Sequence, residues 1–465
     1  MIHRVIKDIY PEHLEEASFL YEQRLGLIND PEITWKDIKE FEGRCEAHID
    51  ALVIGGSIAL QMCFLQMAKN KDAGEFYTVI CLLCRQRHMM DLKKLLEESD
   101  CDDKDLCMAV VHALRDELPK SCATQFVRMM LQKPSLVAVM ATVAGYRRLP
   151  VEQDLLKILE QKKSDAIPDI IRALGRLPKK QSIIALLYQY LLHEDDKIRY
   201  ETALALLRMG ERKVLDRCIE HSAESEMWST MLIGIGAGKE DVSSLLNRLK
   251  DEKVNDDCFI ALGLLGNLIA IEEIILHFQK NIELNTPAEE IISDSKKKPE
   301  LNPSAALALH LITGADADLY EEVFVPDRID DDELFDDELK KRNSGEPVYE
   351  EGLKPGSFIT RLTLDPEKWW NWWQGKKDES TFDCHLRYRY GKLFSPACLI
   401  ESLKNEKTPH LIRQMAYEEL VVRYGMDFHF EADMPVADQE IALEELEVNG
   451  SAFDVGRWYF GKEVI

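Results

Sequence analysis

The chain has 465 residues, 46 % of them hydrophobic and 31 % charged, enough apolar material for a sizeable core and enough charge for an ordinary globular protein. Its 84 acidic and 58 basic side chains give a formal charge of −26, which repels phosphate backbones and anionic lipid headgroups, so nucleic acid and membrane surfaces are poor partners. No unbroken apolar run approaches the roughly 20 residues that span a bilayer. The amino terminus, Met1-Ile-His-Arg-Val-Ile-Lys-Asp, mixes acid and base where a signal peptide needs an apolar stretch, and a cytoplasmic location is the expectation. The 11 cysteines lack the close, even spacing of a disulfide scaffold, and reduced core thiols are expected.

Residues 1–73 read as an N-terminal helical cap. From about residue 74 to 315 one unit recurs: an apolar helix, a break at Gly or Pro, a second amphipathic helix and a polar link. The breaks fall at Pro119, Pro150, Pro178, Gly210, Gly238 and Gly266, separated by 31, 28, 32, 28 and 28 residues. Ala173-Leu174-Gly175, Ala205-Leu206-Leu207 and Ala261-Leu262-Gly263 fall near the ends of successive first helices, where small residues let neighbours approach closely. Second helices such as Ile183-Ile184-x-Leu186-Leu187 and Val242-x2-Leu245-Leu246 carry a single apolar stripe. The fold class predicted is all-α: an α-solenoid of helix pairs resembling the short bacterial HEAT repeat, closed by a small aromatic-rich C-terminal capping module.

Residues 285–302 read as a polar loop interrupting the array. Residues 316–352 carry 15 acids against four bases and read as an acidic, solvated, flexible segment. Residues 353–465 form the Trp/Tyr-rich module. In it Asp365-Pro366 offers an N-cap with proline at the first helical position, ahead of Trp369, Trp370, Trp372 and Trp373. The stretch Cys384 to Gly391 alternates like a strand or extended linker, and helices are predicted over 396–403 and 410–424.

For chemistry the pattern is sparse. Cys81-x2-Cys84 has no second pair to complete a zinc site, His193-Glu194 stands alone, and no nucleophile elbow, phosphate loop or dinucleotide fingerprint occurs. No catalytic residue, metal or cofactor is assigned. Candidate partner-binding residues are the tryptophans 369, 370, 372 and 373, then Arg387, Tyr388, Arg389 and Tyr390, whose alternation puts arginines and tyrosines on opposite faces of an extended segment. To these we add Arg147, Arg148, Arg172 and Arg176, a basic strip near the helix turns of neighbouring repeats, read either as a solvated edge or as a grip on an acidic protein or on the chain's own acidic segment.

His13-Leu-Glu-Glu16-Ala17-Ser-Phe19-Leu20 with Arg24, then Glu46-Ala47-His48-Ile49-Asp50-Ala51-Leu52, is similar to the opening of an uncharacterised bacterial HEAT-repeat family. Arg387-Tyr388-Arg389-Tyr390-Gly391-x2-Phe394-x-Pro396, with Arg413, Glu419-Leu420 and Arg423, resembles that family's C-terminal signature. The family is associated with type VI secretion gene neighbourhoods. The resemblance implies an adaptor, chaperone or immunity role toward a secreted effector or spike component, and it brings no catalytic residue. The expected function is a non-catalytic protein-binding scaffold, with a HEAT-like enzyme acting on nucleic acid or a small molecule as the alternative.

Overall fold

A computed structural model describes residues 2–30, 33–69, 72–99, 103–161, 165–223, 227–250, 255–285, 300–326, 334–344, 348, 355–377, 382–449 and 453–465. The chain is mostly helical, an all-α fold with a few short strands. It divides into two compact units, Met1–Arg248 with Leu393–Ile465, and Leu249–Lys392. These boundaries cut across the expected 353–465 module: its first part belongs to the second unit, and the rest folds onto the first.

In unit 1, α1 (Ile2–Leu27) and α2 (Ile38–Met67) precede an alternating series. The helices that the sequence pattern makes the first of each pair are α3 (Ala73–Arg85), α5 (Lys104–Glu117), α7 (Val137–Tyr146), α9 (Ile167–Arg176), α11 (Asp196–Arg208) and α13 (Thr230–Gly236). Each is followed by a second helix: α4 (Met89–Glu98), α6 (Ala123–Met130), α8 (Glu152–Glu160), α10 (Gln181–Tyr190), α12 (Val214–Ala223) and α14 (Val242–Arg248). Pro119, Pro150, Pro178, Gly210 and Gly238 each separate a first helix from its second, as the spacing predicts. Proline cannot continue a helix, and Gly210 supplies a left-handed turn (φ 83°). Side-chain caps start several of the helices: Asp72 accepts from the Glu75 amide, Asp103 from Asp105 and Leu106, and Asp195 from Lys197 and Ile198.

Each first helix packs on the next: α3 on α5, α5 on α7, α7 on α9, α9 on α11 and α11 on α13. The small residues set the spacing. A Cβ on Gly145 would lie 2.7 Å from the Ala173 Cα, and one on Gly175 would lie 2.7 Å from the Ala205 Cβ. Gly175→Val should therefore force α9 from α11 and cost about 1–3 kcal/mol by overpacking, read as a lower urea midpoint. Gly43→Ala in α2, where an added Cβ meets nothing within 4 Å, should be neutral or stabilising.

Helix α2 corrects one reading of the sequence, since it is long and apolar enough by length and composition to cross a membrane. Gly55, Gly56, Ser57 and Gln61 interrupt the run and hide it from a search for unbroken apolar residues. Gly56 takes a non-helical conformation (φ 58°, ψ −140°) that kinks the helix, while Leu52, Ala59, Leu60 and Cys63 are buried.

The returning chain supplies α20 (Pro396–Lys404), α21 (His410–Tyr424) and α22 (Val436–Asn449), close to the helices predicted over 396–403 and 410–424. Phe394, Leu399, Tyr417, Leu420, Tyr424 and Phe430 join Trp35, Ile38 and Tyr146 in one core cluster. Helix α21 packs on α13.

Unit 2 contains α15 (Asp256–Leu265), α16 (Ile269–Asn285), α17 (Pro303–Thr313), the strand β1 (Tyr320–Pro326), α18 (Asp336–Ser344), the strand β2 (Gly356–Leu362) and α19 (Pro366–Lys376). Gly266, the last repeat marker, ends α15 in the left-handed region (φ 68°). Gly263 brings α15 against α17, where an added Cβ would lie 2.8 Å from the Ala308 Cα. Asn302 caps α17, and Asp365 caps α19 as predicted, accepting from Glu367 and Lys368. The polar loop expected at 285–302 lies mostly outside the described residues. Of the segment 316–352 expected to be acidic, solvated and flexible, residues 327–333, 345–347 and 349–352 lie outside the described residues, and the described part holds β1 and α18. Residues 320–326, Tyr-Glu-Glu-Val-Phe-Val-Pro, pair antiparallel with β2 from Tyr320↔Leu362 to Pro326↔Gly356. Aromatic and β-branched residues give this stretch its strand preference despite the surrounding acids.

Candidate functional site

The basic strip and the returning chain meet in unit 1. The sequence places an arginine two residues before three successive breaks: Arg148-Leu-Pro150, Arg176-Leu-Pro178 and Arg208-Met-Gly210. They lie at the ends of α7, α9 and α11 or just beyond them, and so project from equivalent places of neighbouring helix pairs. All three reach acids of the segment 418–433. Arg148 pairs with Asp427 at 2.7 Å and also donates to the Phe428 carbonyl. Arg176 grips Glu431 with two nitrogens, at 2.7 and 3.1 Å. Arg208 pairs with Glu418 at 2.6 Å and Asp427 at 2.9 Å. One repeat earlier, Arg115 binds Asp433 at 2.8 Å, and Arg24 of α1 donates to the Asp433 carbonyl at 2.7 Å. The ladder thus joins α1, four repeats and the C-terminal segment.

Arg147 and Arg172 of the strip are also engaged, as are the nearby Lys179 and Lys180. Arg147 donates to the carbonyls of Leu114 and Arg115 at the end of α5, each at 3.1 Å. Arg172 pairs with Glu201, Lys179 with Glu211 and Lys180 with Glu152. The sequence reading offered the chain's acidic segment at 316–352 as one partner for this strip. The acids found on the ladder are instead Glu418, Asp427, Glu431 and Asp433, which that reading missed along with Arg115. The repeated Arg-x-Pro/Gly was their one visible signal.

Burial fixes the charges. Burial alone would raise Asp433, yet Arg115, by charge and hydrogen bond, holds its carboxyl well below the usual range. Asp116 behaves oppositely, because burial outweighs Arg115 and pushes it up to about 6. As pH falls, folded Asp116 takes its proton before the unfolded chain does, so this group adds stability between about pH 6 and its ordinary value near 3.9 and nothing further below. Asp433 works the other way: its contribution is present above its ordinary value and is lost as pH falls toward the depressed folded one. Asp116→Asn should abolish the first effect. The stability gap between wild type and variant should change by about 2 kcal/mol between neutral pH and pH 4, measured by denaturant titration at each pH.

Between α5, α7, α9, α11 and α21 lies a cavity of about 340 Å³ lined by Arg115, Arg172, Arg176, Glu201, His410 and Glu431, with apolar wall from Tyr146, Leu204 and Met415. The His410 Nε2 is buried without a hydrogen-bond partner, and burial lowers its pKa, favouring the neutral ring. Among the described residues the lining holds no cysteine, serine or lysine. Its Glu431 and Asp433 carboxylates are held by guanidinium groups, an arrangement suited to rigidity more than to proton transfer.

The two ends of unit 1 named by the family resemblance are also structural. His13 and His48 approach through their Nδ1 atoms at 3.0 Å, and Arg24 pairs with Glu42 at 2.8 Å. Arg423 and Glu419 form a fully buried pair at 3.1 Å. Arg423 also caps α13, donating to the carbonyls of Gly234 and Ala237 at 3.3 and 3.1 Å.

In unit 2 the aromatic candidates divide. Trp369 and Trp373 are buried, and the Trp369 indole donates to the Thr363 carbonyl at 2.8 Å. Trp373 meets Phe382 edge-on at 5.5 Å, and Phe382 packs against Tyr388. Trp370 and Trp372 are half-buried, with the Trp372 indole donating to Asp316 at 3.0 Å. Arg387 and Arg389, which the alternation set on a face a partner could read, are both fully buried. Arg387 donates to the carbonyls of Leu265 and Leu264 at 2.7 and 2.6 Å, and Arg389 to Leu264 at 3.0 Å, so both cap the end of α15. Tyr388 is buried, and Tyr390 is half-buried with its amide donating to Leu311.

Cys81 and Cys84 are buried, with burial pushing both thiols well up. Among the described residues, Asp383, Cys384 and His385 bring three possible donor atoms within 4.8 Å on an exposed turn. The Asp383 carboxylate there accepts the His385 amide. Three exposed donors leave such a site open to water on its remaining side.

No family model, curated protein or solved structure matches the chain.

Proposed function

We propose that this chain is a non-catalytic scaffold: an α-solenoid of HEAT-like helix pairs that holds one protein partner. The observation that carries the reading is the register of the first helices, each packed on the next, with glycine-to-alanine contacts between α7 and α9 and between α9 and α11. Stacked repeats of this kind build extended surfaces suited to binding another chain. The resemblance at both ends points to an effector or spike component of type VI secretion as the partner, with the scaffold acting in the cytoplasm as adaptor, chaperone or immunity protein. The cavity beside His410 favours one second reading, a HEAT-like enzyme for a small molecule. Cross-linking in the native host, followed by mass spectrometry and reconstitution of the captured protein with the purified chain, tests the scaffold. A stoichiometric complex supports it. Absence of any stoichiometric partner, together with turnover that His410→Ala abolishes, would replace it with the enzyme.

A further inference from the structure

Side chains alternate across a strand, so the antiparallel register sorts the β1–β2 ribbon into two faces. One carries Glu321 and Arg361, paired at 3.2 Å, with half-buried Val323 and Ile359. The other carries the cross-strand pairs Tyr320↔Leu362, Glu322↔Thr360 and Phe324↔Phe358. On that second face Tyr320, Phe324 and Phe358 are 39, 38 and 68 % exposed, and the two phenylalanine rings meet edge-on at 5.4 Å. At its base the Thr363 amide donates to the Leu319 carbonyl at 2.8 Å and Tyr320 lies against His310 of α17. Among the described residues neither outer edge pairs with a further strand.

An isolated two-stranded ribbon is marginal in water, and one cross-strand aromatic pair contributes only about 0.2–1 kcal/mol. Exposed, contiguous aromatic surface on such an element marks an interaction site. Charge selects the occupant. The connection from 327 to 355 holds 11 acids and five bases and leaves and rejoins the ribbon at the Pro326↔Gly356 pair, tethering a net −6 to its open end. Glu322 sits on the aromatic face itself. A second copy of a chain with net charge −26 is repelled there, as are polyanions.

We propose that the aromatic face and outer edges of this ribbon dock an extended, cationic segment of a partner protein, with its apolar residues at alternate positions over Phe324 and Phe358. Strand addition supplies main-chain hydrogen bonds, and the aromatic face supplies selectivity. The proposal rests on the scaffold reading and names the chemistry of the partner.

The test uses the full chain and fluorescein-labelled peptides of alternating lysine and valine, or glutamate and valine, followed by anisotropy at low and high salt. The lysine peptide should bind, weaken with salt and lose at least tenfold affinity, about 1.4 kcal/mol, in the Phe324→Ser/Phe358→Ser variant. Ile441→Ser, an exposed apolar position in α22, should change nothing, and the glutamate peptide should not bind. Circular dichroism checks that both variants remain folded. Equal peptide binding by wild type and the double variant would overturn the proposal, leaving only general attraction to an acidic protein. So would sedimentation showing Phe358-dependent self-association without peptide binding, which makes a second copy the occupant. Host cross-linking separates the two readings: a partner captured equally by wild type and the double variant keeps the scaffold and removes the ribbon, whereas no partner for either removes the scaffold.

Discussion

Arg208→Ala is expected to lower the unfolding free energy of unit 1 by about 3–5 kcal/mol, the range for breaking a buried ion pair from one side. Arg208 and Glu418 side chains are 3 and 2 % exposed. Removing the guanidinium leaves Glu418 buried without its countercharge and also takes a hydrogen bond from the Gly175 carbonyl at the end of α9. Removing both charges together, as Arg208→Met with Glu418→Leu, should recover much of the loss. Lys180→Ala, at a pair with a largely exposed lysine, should cost at most about 1 kcal/mol. Urea titrations of the four proteins decide this. A loss in Arg208→Ala no larger than in Lys180→Ala would mean that the ladder contributes little to stability.

The second large effect is expected in unit 2. Arg387→Ala should cost about 3 kcal/mol, because hydrogen bonds from a charged donor contribute about 1.5–3 kcal/mol each and this side chain makes two to buried carbonyls. Hydrogen exchange followed by mass spectrometry should show faster exchange at the end of α15 and in α17, whose Leu311 carbonyl accepts the Tyr390 amide of the same segment. Lysine at 387 should not restore protection, since one ammonium cannot reproduce the fork geometry of guanidinium. Unchanged exchange would mean that the capping bonds are dispensable.

The legible parts of this chain were the local ones. Proline and glycine act on their own stretch of backbone, so Pro119, Pro150, Pro178, Gly210, Gly238 and Gly266 mark helix ends without help from the rest of the fold. Asp365-Pro366 likewise declares the start of α19. What stayed hidden depends on distant pairing. The strands β1 and β2 are separated by 29 residues of acidic chain whose composition masks seven strand residues at each edge. The alternation from Arg387 to Tyr390 was visible, but alternation predicts opposite faces and cannot predict that both arginines reach the end of α15. Arg148 and Arg176 were visible too. Their acids lie more than 200 residues away, and no local rule selects Asp427 or Glu431 from among 84 acids.

Because residues 249–392 form one compact unit interposed within the sequence of the other, the order of synthesis matters. The interposed unit leaves the ribosome whole while the unit around it still lacks α20 to α22. During that interval Arg148, Arg176 and Arg208 have been made but Glu418, Asp427 and Glu431 have not, and Arg115 has Asp116 but not Asp433. Domains generally fold as they emerge, yet this one can close only when Glu418 to Asp433 arrive. Slowing translation after codon 392 should prolong the open state and its exposure to proteases, whereas slowing it within 249–392 should not.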